Sequence, residues 1–153
     1  MKKYYVKTKS TSYDENTGIS KAWIATDLGD FFGEAILSPE DKDIASSFAG
    51  CEYAEIRAIL KYAKLKIRIL KYQLEPLLRT KKNYEKTNFS KKCSIPNPAI
   101  IMIDKEIERL QDILSTITSN MNNLQSKLDT DINTRREIVE HILKKKEQKQ
   151  GNN

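Results

Sequence analysis

Apolar residues recur at helical spacing in two long stretches of the chain. In the second stretch they fall at steps of four and three, at Ile103, Ile107, Leu110, Leu114, Ile117, Met121, Leu124 and Leu128. A matching stripe lies upstream, at Tyr53, Ile56, Leu60, Ala63, Ile67, Leu70, Leu74 and Leu77. This is the period of helices that pack along one another. Two such stripes joined by a polar segment predict an antiparallel helical hairpin, alone or paired in an oligomer.

The N-terminal residues follow the two-residue period of β-strands instead. β-branched and aromatic residues alternate with other residues over positions 5–13, 19–26 and 31–37, and segments rich in Asp, Asn and Gly separate them. We therefore predict a three-stranded antiparallel meander. After it, Ser38 at a helix N-cap and Pro39 at the first helical position predict a short helix, which we expect Gly50 to end.

Together these elements predict an α+β fold, an N-terminal antiparallel β-meander followed by two long antiparallel helices that resemble a coiled coil. We assign residues 1–50 to the small β-sheet head and residues 51–146 to the helical hairpin, within a single folded unit. Its bend lies at 86–98, where helical periodicity is lost, and residues 147–153 form a frayed tail. The stretch 115–123 is rich in Asn, Ser and Thr, which have low helix propensity, and so favours packing against a neighbouring subunit.

Composition removes several classes of function from consideration. The 153 residues carry a net charge of +6, which favours anionic partners. Two cysteines and one histidine are too few for a disulfide framework or a zinc site. The sequence has no apolar run of about 18 residues, no signal-peptide core, no glycine-rich phosphate loop and no convergent catalytic cluster. We expect a cytosolic protein that is not an enzyme, binds no metal or cofactor, and does not enter a membrane.

Charge is unevenly distributed along the chain. Positions 57–83 hold nine Lys and Arg against Glu75 alone, whereas positions 14–55 hold ten acids against two lysines. The basic run is typical either of the solvated face of a helix pair or of a surface that binds phosphates. Tyr62 and Tyr72 could stack on bases, but they fit the seam between the helices equally well. A structural or nucleic-acid-binding coiled coil is therefore the alternative function, and nucleic acid is not the partner that we expect first.

The junction between head and hairpin carries a more specific pattern. It reads Ser38-Pro39-Glu40-Asp41-Lys42-Asp43 and then Phe48-Ala49-Gly50-Cys51-Glu52-Tyr53-Ala54-Glu55-Ile56-Arg57-Ala58-Ile59. With the strand Ser10-Thr11-Ser12-Tyr13-Asp14 and the turn that ends at Gly18, this block resembles the first family of phage anti-Thoeris sponge proteins. Asn97-Pro98, ahead of the second helix, extends the resemblance more loosely.

The resemblance implies both a fold and a function. Members of the family are similar in having an antiparallel sheet followed by two long helices, and they assemble as homo-oligomers, dimers or hexamers. They sequester a glycocyclic ADP-ribose signal of the Thoeris defence system in the host bacterial cytoplasm, without chemistry on the ligand. Members also resemble one another in holding cyclic oligonucleotides at a separate site between subunits, which we leave open for this chain.

The resemblance also implies a set of ligand-binding residues. Arg57 matches the arginine of the first-helix motif and would bind phosphate, although a bridge to Glu52, Glu55 or another acid of the head would also explain it. Near the bend, Tyr84 or Phe89 would stack on adenine, unless these rings only pack the bend.

Two further residues complete the predicted site. Asn97 would bind the ligand through its amide, or else serve as a turn residue ahead of the second helix. Arg109 would contribute to a site between subunits, or else pair with Glu106 or Asp112 on its own helix.

Overall fold

The structure is a computed structural model and describes residues 5–36, 47–88 and 97–151. Three strands come first and form one antiparallel sheet in the order β1-β2-β3, and two long helices follow. Their bounds are β1 Val6–Asp14, β2 Ile19–Thr26, β3 Gly29–Ile36, α1 Ser47–Asn88 and α2 Pro98–Gln150. The predicted α+β fold is confirmed.

Short polar turns join the strands, as the sequence predicts. In the first turn the main-chain carbonyl of Asp14 accepts a hydrogen bond from the Gly18 amide at 2.8 Å, and Gly18 has a positive φ of 67°. Hydrogen bonds from the Thr17 side chain and the Asn16 amide lower the pKa of the Asp14 carboxyl. In the second turn, Thr26 Oγ1 donates to the Gly29 carbonyl at 2.7 Å. Both turns connect neighbouring strands directly, which produces the meander.

The chain divides into two compact units, residues 1–62 with 121–153, and residues 63–120. In the first unit, the start of α1 covers one face of the sheet. The buried residues at this contact are mostly small, namely Ala22, Ile24 and Ala35 on the sheet and Ala54, Ala58 and Tyr62 on α1. Because alanine side chains are short, helix and sheet approach closely, and a Cβ atom on Gly33 would lie only 1.8 Å from the Ala54 carbonyl oxygen.

The same unit contains the pairing of α1 with the C-terminal half of α2. Ile56 and Leu60 pack against Leu128, and Met121, Leu124 and Ile132 border this cluster. Lys127 Nζ lies 2.5 Å from Glu52 Oε1, and the Arg135 side chain donates to the Tyr53 hydroxyl at 2.9 Å. Positions advance along α1 while they recede along α2, so the helices are antiparallel here.

The second unit contains the remaining turns of both helices. Its buried residues are Ala63, Leu70 and Leu74 on α1 and Ile107, Leu110 and Ile117 on α2. Lys81 Nζ forms an ion pair with Asp104 Oδ1 at 2.6 Å, which joins the two helices. Every position of the two predicted apolar stripes is buried or half-buried, so the helical periodicity in the sequence is confirmed.

The structure differs from the sequence prediction at several boundaries. α1 ends at Asn88, so residues 86–88 of the predicted bend are helical. Gly50 does not end a helix, because α1 begins at Ser47 and continues through it. A Cβ atom at Gly50 would lie 2.2 Å from Ser20 Oγ, so this glycine allows close packing of helix on sheet.

At the other end of the chain, α2 continues to Gln150, so residues 147–150 of the predicted frayed tail are helical. Strand β3 begins at Gly29, two residues before its predicted start; the predicted helix start at Ser38 and Pro39 lies outside the described residues.

Candidate functional site

Two cationic side chains of α1 contact the outer edge of β3. β3 is an edge strand, so half of its main-chain carbonyls point away from the sheet. Arg57 Nη1 donates to the Glu34 carbonyl at 2.8 Å, and Lys61 Nζ donates to the Phe32 carbonyl at 2.8 Å. The close packing of α1 on the sheet brings both side chains within reach of this edge.

Arg57 and Lys61 are suited to bind an anion together. They stand four residues apart on α1, so their Cα atoms are separated by about 6 Å along the helix axis and lie on one face. Both residues are exposed to solvent. Each contact with the edge uses one N–H group, while a guanidinium has five and an ammonium three. The main-chain contacts therefore position two cations and leave donors directed at solvent.

An aromatic pair lies on the open face of the sheet, beside this edge. The rings of Phe32 and Trp23 are stacked, with centroids 5.7 Å apart and an interplanar angle of 17°, and Phe32 is 58% exposed. Lys9 Nζ lies 4.3 Å from the centroid of the Trp23 ring and 3.1 Å from Asp30 Oδ2. We define the edge site as Arg57, Lys61, Phe32 and Trp23. It combines phosphate-binding groups with an exposed aromatic face.

Sequence reasoning identified only one of these four residues, Arg57. Sequence signals could have found two of the other three, Lys61 and Phe32. Lys61 follows Arg57 at the i+4 spacing that places both on one helix face. Phe32 alternates along β3 with residues that face α1, namely Phe31, Gly33 and Ala35, so its side chain points to the open face of the sheet.

The partner of Arg57 is an acidic residue of the head, Glu34, but it is contacted through its main-chain carbonyl rather than its carboxylate. Glu52 is instead paired with Lys127, and Glu55 accepts a hydrogen bond from Thr8. Arg57 binds the uncharged Glu34 carbonyl, so its positive charge is not neutralised by a carboxylate among the described residues. This arrangement keeps Arg57 available for an anionic ligand.

The other predicted site residues fall in the second unit. Asn97 caps α2, because its Oδ1 atom accepts from the Ala99 amide at 2.9 Å and its carbonyl accepts from the Ile100 amide at 3.0 Å. The turn role considered for Asn97 is thus present in the structure. Tyr84 is half-buried on α1. Phe89 lies outside the described residues.

Arg109 is held by a carboxylate on its own helix. Its Nε and Nη2 atoms donate to Glu106 at 2.8 and 2.6 Å, a bidentate pair. The hydrogen bonds raise the pKa of Arg109 and lower the pKa of Glu106. The intrahelical pairing considered for Arg109 is therefore the one that the structure contains.

The Lys81–Asp104 ion pair marks a point where α1 and α2 lie side by side, and distances between Arg109 and Tyr84 along the helix axes can be counted from it. Tyr84 stands three residues beyond Lys81 and Arg109 stands five residues beyond Asp104, in opposite directions along antiparallel helices. Their separation along the axis is about 12 Å. Asn97 lies on the same side as Tyr84, within about 6 Å along the axis. Tyr84 and Asn97 therefore lie at similar positions along the helix axes, whereas Arg109 lies about 12 Å from Tyr84.

Comparison with protein families, curated proteins and solved structures gives no match to this chain. Within residues 5–36, 47–88 and 97–151, neither helix has an apolar segment long enough to cross a membrane. The same ranges contain no group of three or more His, Cys, Asp or Glu side chains arranged to hold a metal ion.

Proposed function

We propose that this chain binds and sequesters a glycocyclic ADP-ribose signal of the Thoeris system without degrading it, as a phage protein in the host bacterial cytoplasm. The observation that carries the proposal is the position of Arg57. This residue matches the motif of the anti-Thoeris sponge family, and it stands exposed beside Lys61 with no carboxylate partner among the described residues.

The chemistry of the ligand fits the edge site. A cyclic ADP-ribose carries a pyrophosphate, two riboses and an adenine. The Arg57 guanidinium can bind one phosphate through two parallel hydrogen bonds, and the Lys61 ammonium adds a second charge one helical turn away. The exposed ring of Phe32 offers a flat surface on the same strand. Capture needs no bond to be broken, so the proposed role is binding alone.

The proposal extends to residues outside the edge site on the strength of the family resemblance. These residues would come from another subunit of the homo-oligomer, whose Tyr84 or Phe89 would stack on the adenine and whose Asn97 would contact the ligand through its amide. Arg109 would act in a homo-oligomer, a dimer or a hexamer, and only after release from Glu106. Cyclic oligonucleotides at a separate site are part of the same proposal.

Calorimetry with purified protein tests this function directly. Glycocyclic ADP-ribose should bind, whereas linear ADP-ribose should bind far more weakly because its riboses are not held in the ring. The bound ligand should survive desalting and return with unchanged mass after heat denaturation of the protein. A hydrolysed product would show that the protein is an enzyme and would refute the proposal, as would the absence of binding.

Substitutions at the edge separate ligand binding from scaffolding. Arg57→Ala should weaken binding by about 1.5 to 3 kcal/mol, because hydrogen bonds to a charged phosphate are lost. Arg79→Ala is the matched control, since Arg79 is also an exposed arginine of α1 but is paired with Glu75. Circular dichroism melts would show whether Arg57→Ala stays folded. Unchanged affinity in a folded Arg57→Ala protein would remove Arg57 from the site.

A further inference from the structure

The second unit presents a cationic helix face that the proposed function does not use. Lys64, Arg68 and Lys71 are all exposed, and they follow one another on α1 at steps of four and three. Leu70 and Leu74 of the same helix segment are buried, so they are not part of this exposed row. The three cations therefore form a row along the helix, about 10 Å long from first to last.

No carboxylate among the described residues neutralises this row. The only acid on α1 between positions 57 and 83 is Glu75, and it pairs with Arg79 at 2.9 Å. Asp104 of α2 pairs with Lys81, and Glu106 of α2 pairs with Arg109. Lys64, Arg68 and Lys71 make no ion pair with a described residue, so their charges face solvent.

Two apolar side chains border the row. Tyr72 is 79% exposed and Leu65 is 37% exposed. From the sequence, Tyr62 and Tyr72 fitted the helix seam equally well, but the structure separates them. Tyr62 is 1% exposed, and its hydroxyl donates to Asp27 at 2.5 Å. Tyr72 is thus a large aromatic ring in solvent, next to unneutralised cations.

We propose that this cationic face, formed by Lys64, Leu65, Arg68, Lys71 and Tyr72, binds single-stranded nucleic acid. Phosphates of the strand lie along the three cations, and an unpaired base stacks on the Tyr72 ring. Stacking requires a base whose face is free, which a duplex does not offer along its side. Two apolar side chains give too little buried area to hold a helix in a lipid surface. The occupant that fits both the charge and the ring is a single strand.

Fluorescence anisotropy with a labelled single-stranded DNA of mixed sequence tests the inference in the full-length protein. Three neutralised phosphates predict a slope of about −2 when the logarithm of the association constant is plotted against that of salt concentration. A duplex of the same sequence should bind more weakly at equal salt. Binding of anionic phospholipid vesicles without binding of the single strand would overturn the inference.

Variants of the cationic face give the decisive comparison. The triple variant Lys64→Glu, Arg68→Glu, Lys71→Glu should abolish binding. A control with the same change of net charge is Lys144→Glu, Lys145→Glu, Lys149→Glu on exposed residues of α2. This control should keep at least part of the binding. Equal loss of single-strand binding in both triple variants would mean that net charge alone attracts the strand, and it would refute the inference.

The Tyr72 ring is tested separately. Tyr72→Ala should weaken binding about tenfold with little change in the salt slope, because stacking is lost while the phosphate contacts remain. Tyr72→Phe keeps the ring and should bind as the parent protein does. If Tyr72→Ala binds equally well, no base stacks on this face.

The inference and the proposed function can fail independently. The triple variant Lys64→Glu, Arg68→Glu, Lys71→Glu leaves the edge site unchanged, so capture of glycocyclic ADP-ribose should persist in it. Loss of single-strand binding together with retained capture would separate the two surfaces. Retained single-strand binding in a folded triple variant would refute the assignment to this face.

Discussion

Gly33 of β3 lies directly against the main chain of Ala54 of α1. A Cβ atom at position 33 would be 1.8 Å from the Ala54 carbonyl oxygen and 2.6 Å from the Ala58 nitrogen. Both neighbours are helix backbone, which cannot move alone. The absence of a side chain at Gly33 therefore sets the distance between helix and sheet, and with it the reach of Arg57 and Lys61 to the β3 edge.

Gly33→Ala should destabilise the protein by about 3 kcal/mol, at the upper end of the cost of overpacking a core. The helix would have to shift away from Ala22 and Ala35, and the buried contact would open. Urea unfolding followed by circular dichroism measures the loss. Glu34→Ala, at an exposed position of the same strand, is the control and should change stability by less than about 0.5 kcal/mol. Equal stability of Gly33→Ala and the parent would contradict the close packing.

Leu128→Ala tests the pairing of α1 with the C-terminal half of α2. Leu128 is 4% exposed and packs on Ile56 and Leu60, so truncation should cost about 3 kcal/mol from lost apolar burial and the remaining cavity. Ser126→Ala, at an exposed position two residues earlier on α2, should be nearly neutral. Thermal unfolding of both variants in the same buffer compares their losses of stability. A neutral Leu128→Ala would mean that the two helix segments do not pack as described.

Phe32→Ala should change the emission of Trp23, which is the only tryptophan of the chain. Loss of the stacked ring uncovers the indole, so its fluorescence should shift to longer wavelength, and about 1 kcal/mol of stability should be lost. Ile36→Ala, at a 71% exposed position of β3, should leave the emission unchanged. An identical red shift in both variants would argue against a specific contact between Phe32 and Trp23.

The Glu106–Arg109 pair should give a defined pH dependence. Hydrogen bonds from Arg109 lower the pKa of the Glu106 carboxyl below its ordinary value of 4.5. A lowered folded-state pKa means that the pair stabilises the fold fully above that ordinary value and that this contribution disappears as pH falls through the lower one. Carbon-detected NMR titration of the Glu106 carboxyl measures the shift.

Arg109→Gln should return the pKa of Glu106 toward its ordinary value, because the charged donor is removed. The pair is solvent-exposed, so the effect should weaken as salt is added. Arg136→Gln is a suitable control, since it removes an equal charge at an exposed position 30 residues further along α2. Were the Glu106 pKa unmoved in Arg109→Gln, the bidentate contact would not exist in solution.

The helices and strands follow from local pattern. The spacing of Ile107, Leu110 and Ile117 predicts which side of α2 is buried, because helical geometry alone fixes which residues share a face. The same holds for Ala22 and Ile24 of β2, which are buried and alternate with exposed or half-buried positions. Periodicity was sufficient for the fold class and for the two apolar stripes.

Local pattern was misleading where a residue contacts a part of the chain that is distant in sequence. Gly50 looks like a helix terminator in sequence, yet it lies inside α1, at a point where a Cβ atom would be 2.2 Å from Ser20 Oγ of β2. The pairing of Arg109 with Glu106 lies within one helix turn, so the sequence contained it as an open alternative. The contact between Arg57 and Glu34 joins residues far apart in sequence, and no spacing rule predicts it.

The amino-acid sequence by itself determined the strands, the two long helices and their apolar faces, since these depend on residues within a few positions of one another. Only the tertiary structure decided which cations are held at the β3 edge and which face solvent, and which tyrosine is buried. Those outcomes depend on how closely α1 approaches the sheet and on which side of the helix is covered, and both are set by packing between distant segments of the chain.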